Sequence, residues 1–146
     1  MNVSRKLNLL VVDDSSTIVT LVSKMLQASL GDVLEVTAFS SPLEAVKFLD
    51  GYCCDILLSD IEMPGVSGIE MLRQAKSRNA WTQVIFMTAH SSCDYLAEAI
   101  ENGASDYLLK PIDRGEMVGV VSQCASRVTR WHKALRGTLR PTVVSA

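Results

Sequence analysis

Four short stretches set a charged or hydroxyl-bearing residue directly after an apolar run: "LLVVDD" ends in Asp13 and Asp14, "ILLSD" in Asp60, "VIFMT" in Thr88 and "YLLK" in Lys110. A short apolar, β-branched run reads as a buried strand, so each polar group stands at a strand's C-terminal end. Three carboxylates gathered on one edge repel one another by roughly 4 kcal/mol per pair at about 4 Å and an effective dielectric near 20. Positive charge must therefore sit among them. Lys110 neutralises one charge and a divalent ion two more; carboxylate oxygens with carbonyls and waters suit Mg2+ or Mn2+ rather than zinc. A threonine hydroxyl, an ammonium group and such an ion around one carboxylate are the parts that hold a phosphoryl group, the carboxylate then being the nucleophile. Taken singly, Asp13, Asp14 and Asp60 read equally as turn or cap residues, and Thr88 as a strand end. Their joint placement is what argues for chemistry.

The elements that must position these groups alternate strand with helix, the pattern of a parallel sheet wrapped by helices. "LNLLVV" opens the first strand. A helix follows from about Ser16, with Ile18, Leu21, Val22, Met25 and Leu26 at helical spacing, and Gly31 is expected to close it as a left-handed cap. "LEVTAF" is the second strand, after which Ser41 caps a helix with Pro42 in its first turn and Gly51 at its end. "DILLS", the loop "DIEMPGVSG" and the helix "IEMLRQAKSR" come next, then the strand "VIFM". A fourth helix from about Ser92 carries Leu96, Ala97 and Ile100 and stops at Asn102 and Gly103. "DYLL" is the fifth strand. The last helix begins near Asp113, its stripe of Met117, Val121, Cys124, Val128, Trp131 and Leu135 recurring at intervals of four and three; Gly137 and Pro141 are expected to end it.

Open sheets of this class bind ligands at the C-terminal ends of their strands, where the strand order reverses. The second strand ends without a reactive group. It is therefore expected at the outer edge, with strands one, three, four and five around the crevice.

The constellation resembles the response regulator receiver domain of two-component signalling: "DD" after strand one, "DIEMPGVSG" after strand three, "TA" after strand four and "KP" after strand five, over roughly residues 5 to 125. The resemblance implies an α/β fold, a doubly wound five-stranded parallel sheet of order 2-1-3-4-5, flavodoxin-like (CheY-like). It implies that Asp60 is the phosphoacceptor, with Thr88 and Lys110 as its catalytic partners. Asp14, Asp60 and the backbone carbonyl of Glu62 would bind Mg2+ (Mn2+ as substitute), and Asp13 would act through a water. Backbone N–H groups of Ile61 and Ala89 would hold phosphoryl oxygens beside Thr88, and the Lys110 to Pro111 bond would be cis. Thr88 and Tyr107 look like the switch pair, reporting to a face made by helix four, strand five and helix five. Glu62 and His90 occupy the positions that tune the phosphoryl lifetime. Partners implied are a sensor histidine kinase or histidine phosphotransfer protein and a downstream protein target.

The 146 residues suffice for one domain, and 48% hydrophobic with 21% charged residues is a globular balance. A net charge of −2 gives no overall pull toward nucleic acid or a membrane surface. Cys53, Cys54, Cys93 and Cys124 lack the spacing of a disulfide framework or zinc site and read as thiols of a reducing compartment. His90 and His132 have no ligand partner at metal spacing. "LNLLVV" is shorter than a signal-peptide core, and no segment approaches the ~20 apolar residues of a membrane span, so a cytoplasmic protein is expected.

Residues 1–125 are read as the receiver domain and 126–146 as a helical extension of the last helix with a C-terminal tail. Its stripe, set among Arg127, Arg130, Lys133 and Arg136, either folds back on the domain or pairs with a second copy (a homodimer) or another protein. Without a visible output domain, the expected function is that of a stand-alone regulator, in chemotaxis, in a phosphorelay or as a kinase adaptor. A receiver fragment of a longer regulator and a phosphorylation-independent binding module are the alternatives. An aspartyl-phosphate phosphatase of the haloacid dehalogenase type is disfavoured because its "DxD" motif with a following threonine is absent.

Overall fold

The computed structural model describes the backbone of residues 5–89 and 93–145 and the side chains of residues 5–89 and 95–136. Strands and helices alternate along them: β1 (Leu7–Val12), α1 (Ser16–Leu30), β2 (Leu34–Phe39), α2 (Pro42–Gly51), β3 (Ile56–Asp60), α3 (Gly68–Arg78), β4 (Gln83–Thr88), α4 (Cys93–Glu101), β5 (Asp106–Leu109) and α5 (Arg114–Ser145). The five strands form one parallel sheet in the order β2-β1-β3-β4-β5, with β2 at the edge as its polar-poor end requires. No helix among the described residues is long and apolar enough to cross a membrane.

Side chains alternate across a strand, so one sheet buries two cores. Leu10, Val12, Leu57, Val84 and Phe86 face α2, α3 and α4. Leu9, Val11, Ile56, Leu58, Ile85 and Met87 face α1 and α5. The central strand β3 is buried along its whole length, hence its unbroken apolar run. Three helices start at serine caps: Ser15 Oγ accepts from Ile18 N at 3.4 Å, Ser41 Oγ from Glu44 N at 3.3 Å, and Ser67 Oγ from Glu70 N at 3.2 Å.

Four local expectations change. Gly31 ends α1, but in the right-handed region (φ −60°), because its N–H closes on Gln27 O and the chain continues in right-handed turns to Val33. The left-handed stop occurs instead at Gly103 (φ +95°). In α4, whose expected start at Ser92 lies outside the described residues, the buried residue is Ala99; Ala97 and Ile100 are exposed, since the helix seats its small side chain against the core. In α5, Met117, Val121, Cys124 and Val128 are wholly buried but Trp131 is 55% exposed. Trp131 and His132 lie on opposite flanks of the stripe, and His132 packs against the domain: its ring stands edge-on to Trp81, with Nε2 3.5 Å from Asp55 Oδ1. The helix also continues through Gly137 and Pro141 to Ser145. Local propensity disfavours both, by about 1 kcal/mol for a helical glycine and about 3 for a proline.

The rotated stripe has a measurable consequence. Val128→Ala should lower unfolding free energy by about 2 kcal/mol by opening a cavity, and Trp131→Ala by less than about 0.5 kcal/mol, as denaturant midpoints would show. Equal losses would return Trp131 to the core.

Candidate functional site at the C-terminal rim of the sheet

The strand register explains why charges gather. Val12 pairs with Ser59, Asp60 with Met87, and Thr88 with Leu109. The residues next in the chain, Asp13 and Lys110, are thereby brought level with Asp60 and Thr88. Asp13 and Thr88 are buried, Asp60 nearly so, and Asp14 is exposed. One carboxylate oxygen from each of Asp13, Asp14 and Asp60 lies within 4.8 Å of the others.

Lys110 Nζ donates to Asp60 Oδ2 at 3.1 Å and lies 2.8 Å from Asp13 Oδ2 in an ion pair. The Lys110 side chain is held there by its own backbone, whose N–H donates to Thr88 O at 2.9 Å, and by a cis bond to Pro111. Asp13 Oδ1 accepts from Ser15 N at 2.9 Å, and Asp60 Oδ1 from Glu62 N at 3.3 Å. Burial opposes the charge on Lys110, but its pairing with Asp13 and Asp60 outweighs that and holds its pKa above the ordinary lysine value. Burial likewise raises the Asp60 pKa. The Lys110 charge and hydrogen bond and the Glu62 N–H oppose this, Asp13 adds to it, and the carboxyl stays above its usual range. By count, one ammonium group faces the three carboxylates of Asp13, Asp14 and Asp60.

A divalent ion fits these residues. Asp13 Oδ2 is fully buried, and its one close polar neighbour among the described residues is the Lys110 ammonium at 2.8 Å, which leaves a lone pair free. Its lone pairs, with those of Asp14 and Asp60, form an all-oxygen donor set of the kind that prefers Mg2+ or Mn2+.

Asp13, Asp14, Asp60, Thr88 and Lys110 share the rim, and Glu62 and Ala89 lie in the loops that leave it. Tyr107 sits two residues short of that level, paired with Phe86, its side chain exposed. His90 lies outside the described residues. The expectation for Ile61 changes: its N–H donates to Met87 O at 3.2 Å, extending the ladder between β3 and β4, and the N–H that reaches Asp60 is that of Glu62. Two supporting residues went unremarked in the sequence. Ser59, wholly buried, donates its hydroxyl to Asp60 O at 2.8 Å. Gly68 donates its N–H to Ile61 O at 2.9 Å, and an added Cβ would stand 2.8 Å from both Ile61 Cα and Phe86 Cε1. The "SG" pair that closes "DIEMPGVSG" was the available signal, since such a close approach admits only glycine.

The chain matches the family model described as response regulator receiver domain over residues 9–122. It is 41% identical over 116 residues to the DNA-binding transcriptional regulator NtrC of Escherichia coli (strain K12), a match covering 80% of this chain and 24% of that protein. It is 32% identical over 117 residues to the transcriptional regulatory protein FixJ of Azorhizobium caulinodans, covering 80% and 54% respectively. The chain therefore spans a quarter to a half of the length of these curated relatives. Among solved structures, a response regulator receiver domain protein from Clostridium thermocellum superposes with a TM-score of 0.77 at 28% identity, over 86% of this chain and 98% of that one.

The raised Asp60 pKa fixes the sign of a stability effect. A carboxyl that holds its proton more tightly when folded loses stability as pH rises through its folded pKa. Without divalent ions, Asp60→Asn should therefore be more stable than the parent at pH 7, by on the order of 1 kcal/mol, with the gain vanishing as pH falls into the usual carboxylate range. Thermal unfolding at several pH values checks this; a variant less stable than the parent at pH 7 would contradict the account of the site.

Proposed function

We propose, because the chain belongs to the response regulator receiver domain family, that Asp60 accepts a phosphoryl group from a histidine kinase or histidine phosphotransfer protein and that this switches a protein-binding face. Receiver domains are phosphoacceptor signalling domains that interact with such donors and generally bind Mg2+ through acidic residues. The observation that carries the assignment to Asp60 is its exposure combined with its partners. Asp13 is sealed and Asp14 is open to water, whereas Asp60 keeps 11% of its side chain accessible while Lys110 Nζ and Glu62 N–H address its two oxygens.

In this reading an Asp60 carboxylate oxygen attacks phosphorus, the P–N bond to the donor imidazole breaks, and its electron pair stays with the ring nitrogen. Asp14, Asp60 and the Glu62 carbonyl, with Asp13 through a water, would hold a divalent ion, which when bound would supply charge neutralisation to the phosphoryl oxygens. The Lys110 ammonium, already beside Asp60, stabilises a second oxygen, and the Thr88 hydroxyl and Ala89 N–H donate to the others. Glu62 N–H joins them in place of Ile61, whose N–H is taken by Met87 O. Attack of water on the acyl phosphate returns Asp60 and inorganic phosphate, Glu62 and His90 tuning its rate.

The added charge, up to about −2, draws Thr88 toward the site and biases an equilibrium between two states. Tyr107 is the aromatic that follows it inward. Support for the readout face comes from the apolar groups exposed on α4 and β5: Ile100, Tyr107 and Leu109. In the same reading residues 1–125 form the receiver and 126–146 the extension, and the chain works in the cytoplasm, where Cys53, Cys54 and Cys124 stay as thiols.

Incubation with acetyl phosphate and Mg2+, followed by intact mass, tests the reading. One phosphoryl adduct is expected, abolished by chelation of the metal and by Asp60→Asn. An adduct that survives in Asp60→Asn, or none in the parent protein, would overturn it.

A further inference from the structure

The opposite end of the sheet carries charge of the other sign. Leu7 opens β1 and Asp13 follows its last residue, so the two ends lie about 20 Å apart. At the Leu7 end a groove of about 640 Å³ runs between α5, the C-terminal end of α1 and the segment leading into β1. Arg5, Lys6, Arg130 and Lys133 line it, with Asp32 as the sole acid. Among the described residues Lys6, Arg130 and Lys133 have no ion-pair partner, and Arg5 only reaches Asp55 at 4.0 Å. Leu7, Leu30 and Ala125 supply an apolar floor, and Ser122, Ser126 and Thr129 add hydroxyls one helical turn apart.

This concentration of charge stands against the composition of the chain. The net charge is −2, yet after Glu116 the sequence holds five lysines and arginines and no aspartate or glutamate. The groove is also braced. Asp55, which is buried, accepts from Asn8 N at 2.8 Å and Trp81 Nε1 at 3.3 Å, and lies 3.5 Å from His132 Nε2. That contact fixes the turn of α5 bearing Arg130 and Lys133, so the cations of α5 face those of Arg5 and Lys6 across a defined gap.

We propose that this groove docks an acidic, leucine-bearing segment of a partner protein. Its cations flank the apolar side chains of Leu7, Leu30, Val33 and Ala125 in one concavity, so a chain carrying both carboxylates and apolar side chains complements the whole lining. Carboxylates of the segment would meet Arg5, Lys6, Arg130 and Lys133 while its apolar side chains cover Leu7, Leu30 and Ala125. The site is separate from the rim that holds Asp60, and the proposal does not rest on phosphoryl transfer.

The test uses the full chain and a fluorescein-labelled amphipathic peptide of glutamate and leucine, followed by anisotropy at low ionic strength. Saturable one-site binding is expected, weakened more than about tenfold by the exposed double variant Arg130→Glu, Lys133→Glu and unchanged by Lys47→Glu on the other face of the sheet. Circular dichroism confirms that both variants fold. Three results would overturn the proposal: no saturable binding, equal weakening by Lys47→Glu, or tighter binding to phosphatidylglycerol vesicles or duplex DNA that the double variant abolishes.

Discussion

One ammonium group shared between two carboxylates holds the functional end of this molecule together. Lys110 Nζ lies 2.8 Å from Asp13 and 3.1 Å from Asp60, and it joins the ends of β1, β3 and β5 across the rim. Each of these groups would be costly to bury alone. Together they are tolerated, although the one ammonium group faces three carboxylates and burial holds the Asp60 pKa above its usual range. The excess of negative charge at the rim is of the kind that a dication offsets, as receiver domains generally do by binding Mg2+ through acidic residues.

The rest of the fold sets this geometry. Parallel pairing fixes the level of each strand end, and two apolar cores hold the sheet from both faces so that rim groups project from a rigid edge. The loop after Asp60 is drawn tight by the Gly68 N–H to Ile61 O bond, which leaves Glu62 N–H pointing back at the carboxylate. At the far end Asp55 plays a matching structural part, tying β1, Trp81 and the extended α5 together. The two ends therefore carry opposite charge on one frame.

Much of this was legible in the sequence for a stated reason. β1, β2 and β5 run over the stretches expected, because apolar runs bounded by turn or charged residues leave few other endings. The rim residues were legible because a polar group after such a run is placed by topology alone. Helix phase was not: Ile100 and Ala99 are neighbours in sequence, and packing against the sheet decides which turns inward. The same holds for Trp131 and His132, separated only by the presence of Trp81 and Asp55 on one flank. Which backbone N–H groups point toward the rim depends on how the loop departs from β3, a detail invisible in residue types: the Ile61 N–H, expected at the phosphoryl site, donates to Met87 O, and the Glu62 N–H donates to Asp60.

The central claim is that the acidic rim is undercompensated by Lys110 and completes itself with one dication. Titration with Mn2+, followed by electron paramagnetic resonance of the unbound ion, measures this directly. The account predicts one saturable site, displaced by Mg2+ and lost in Asp14→Asn. Absence of a saturable site, or undiminished binding in that variant, would contradict it.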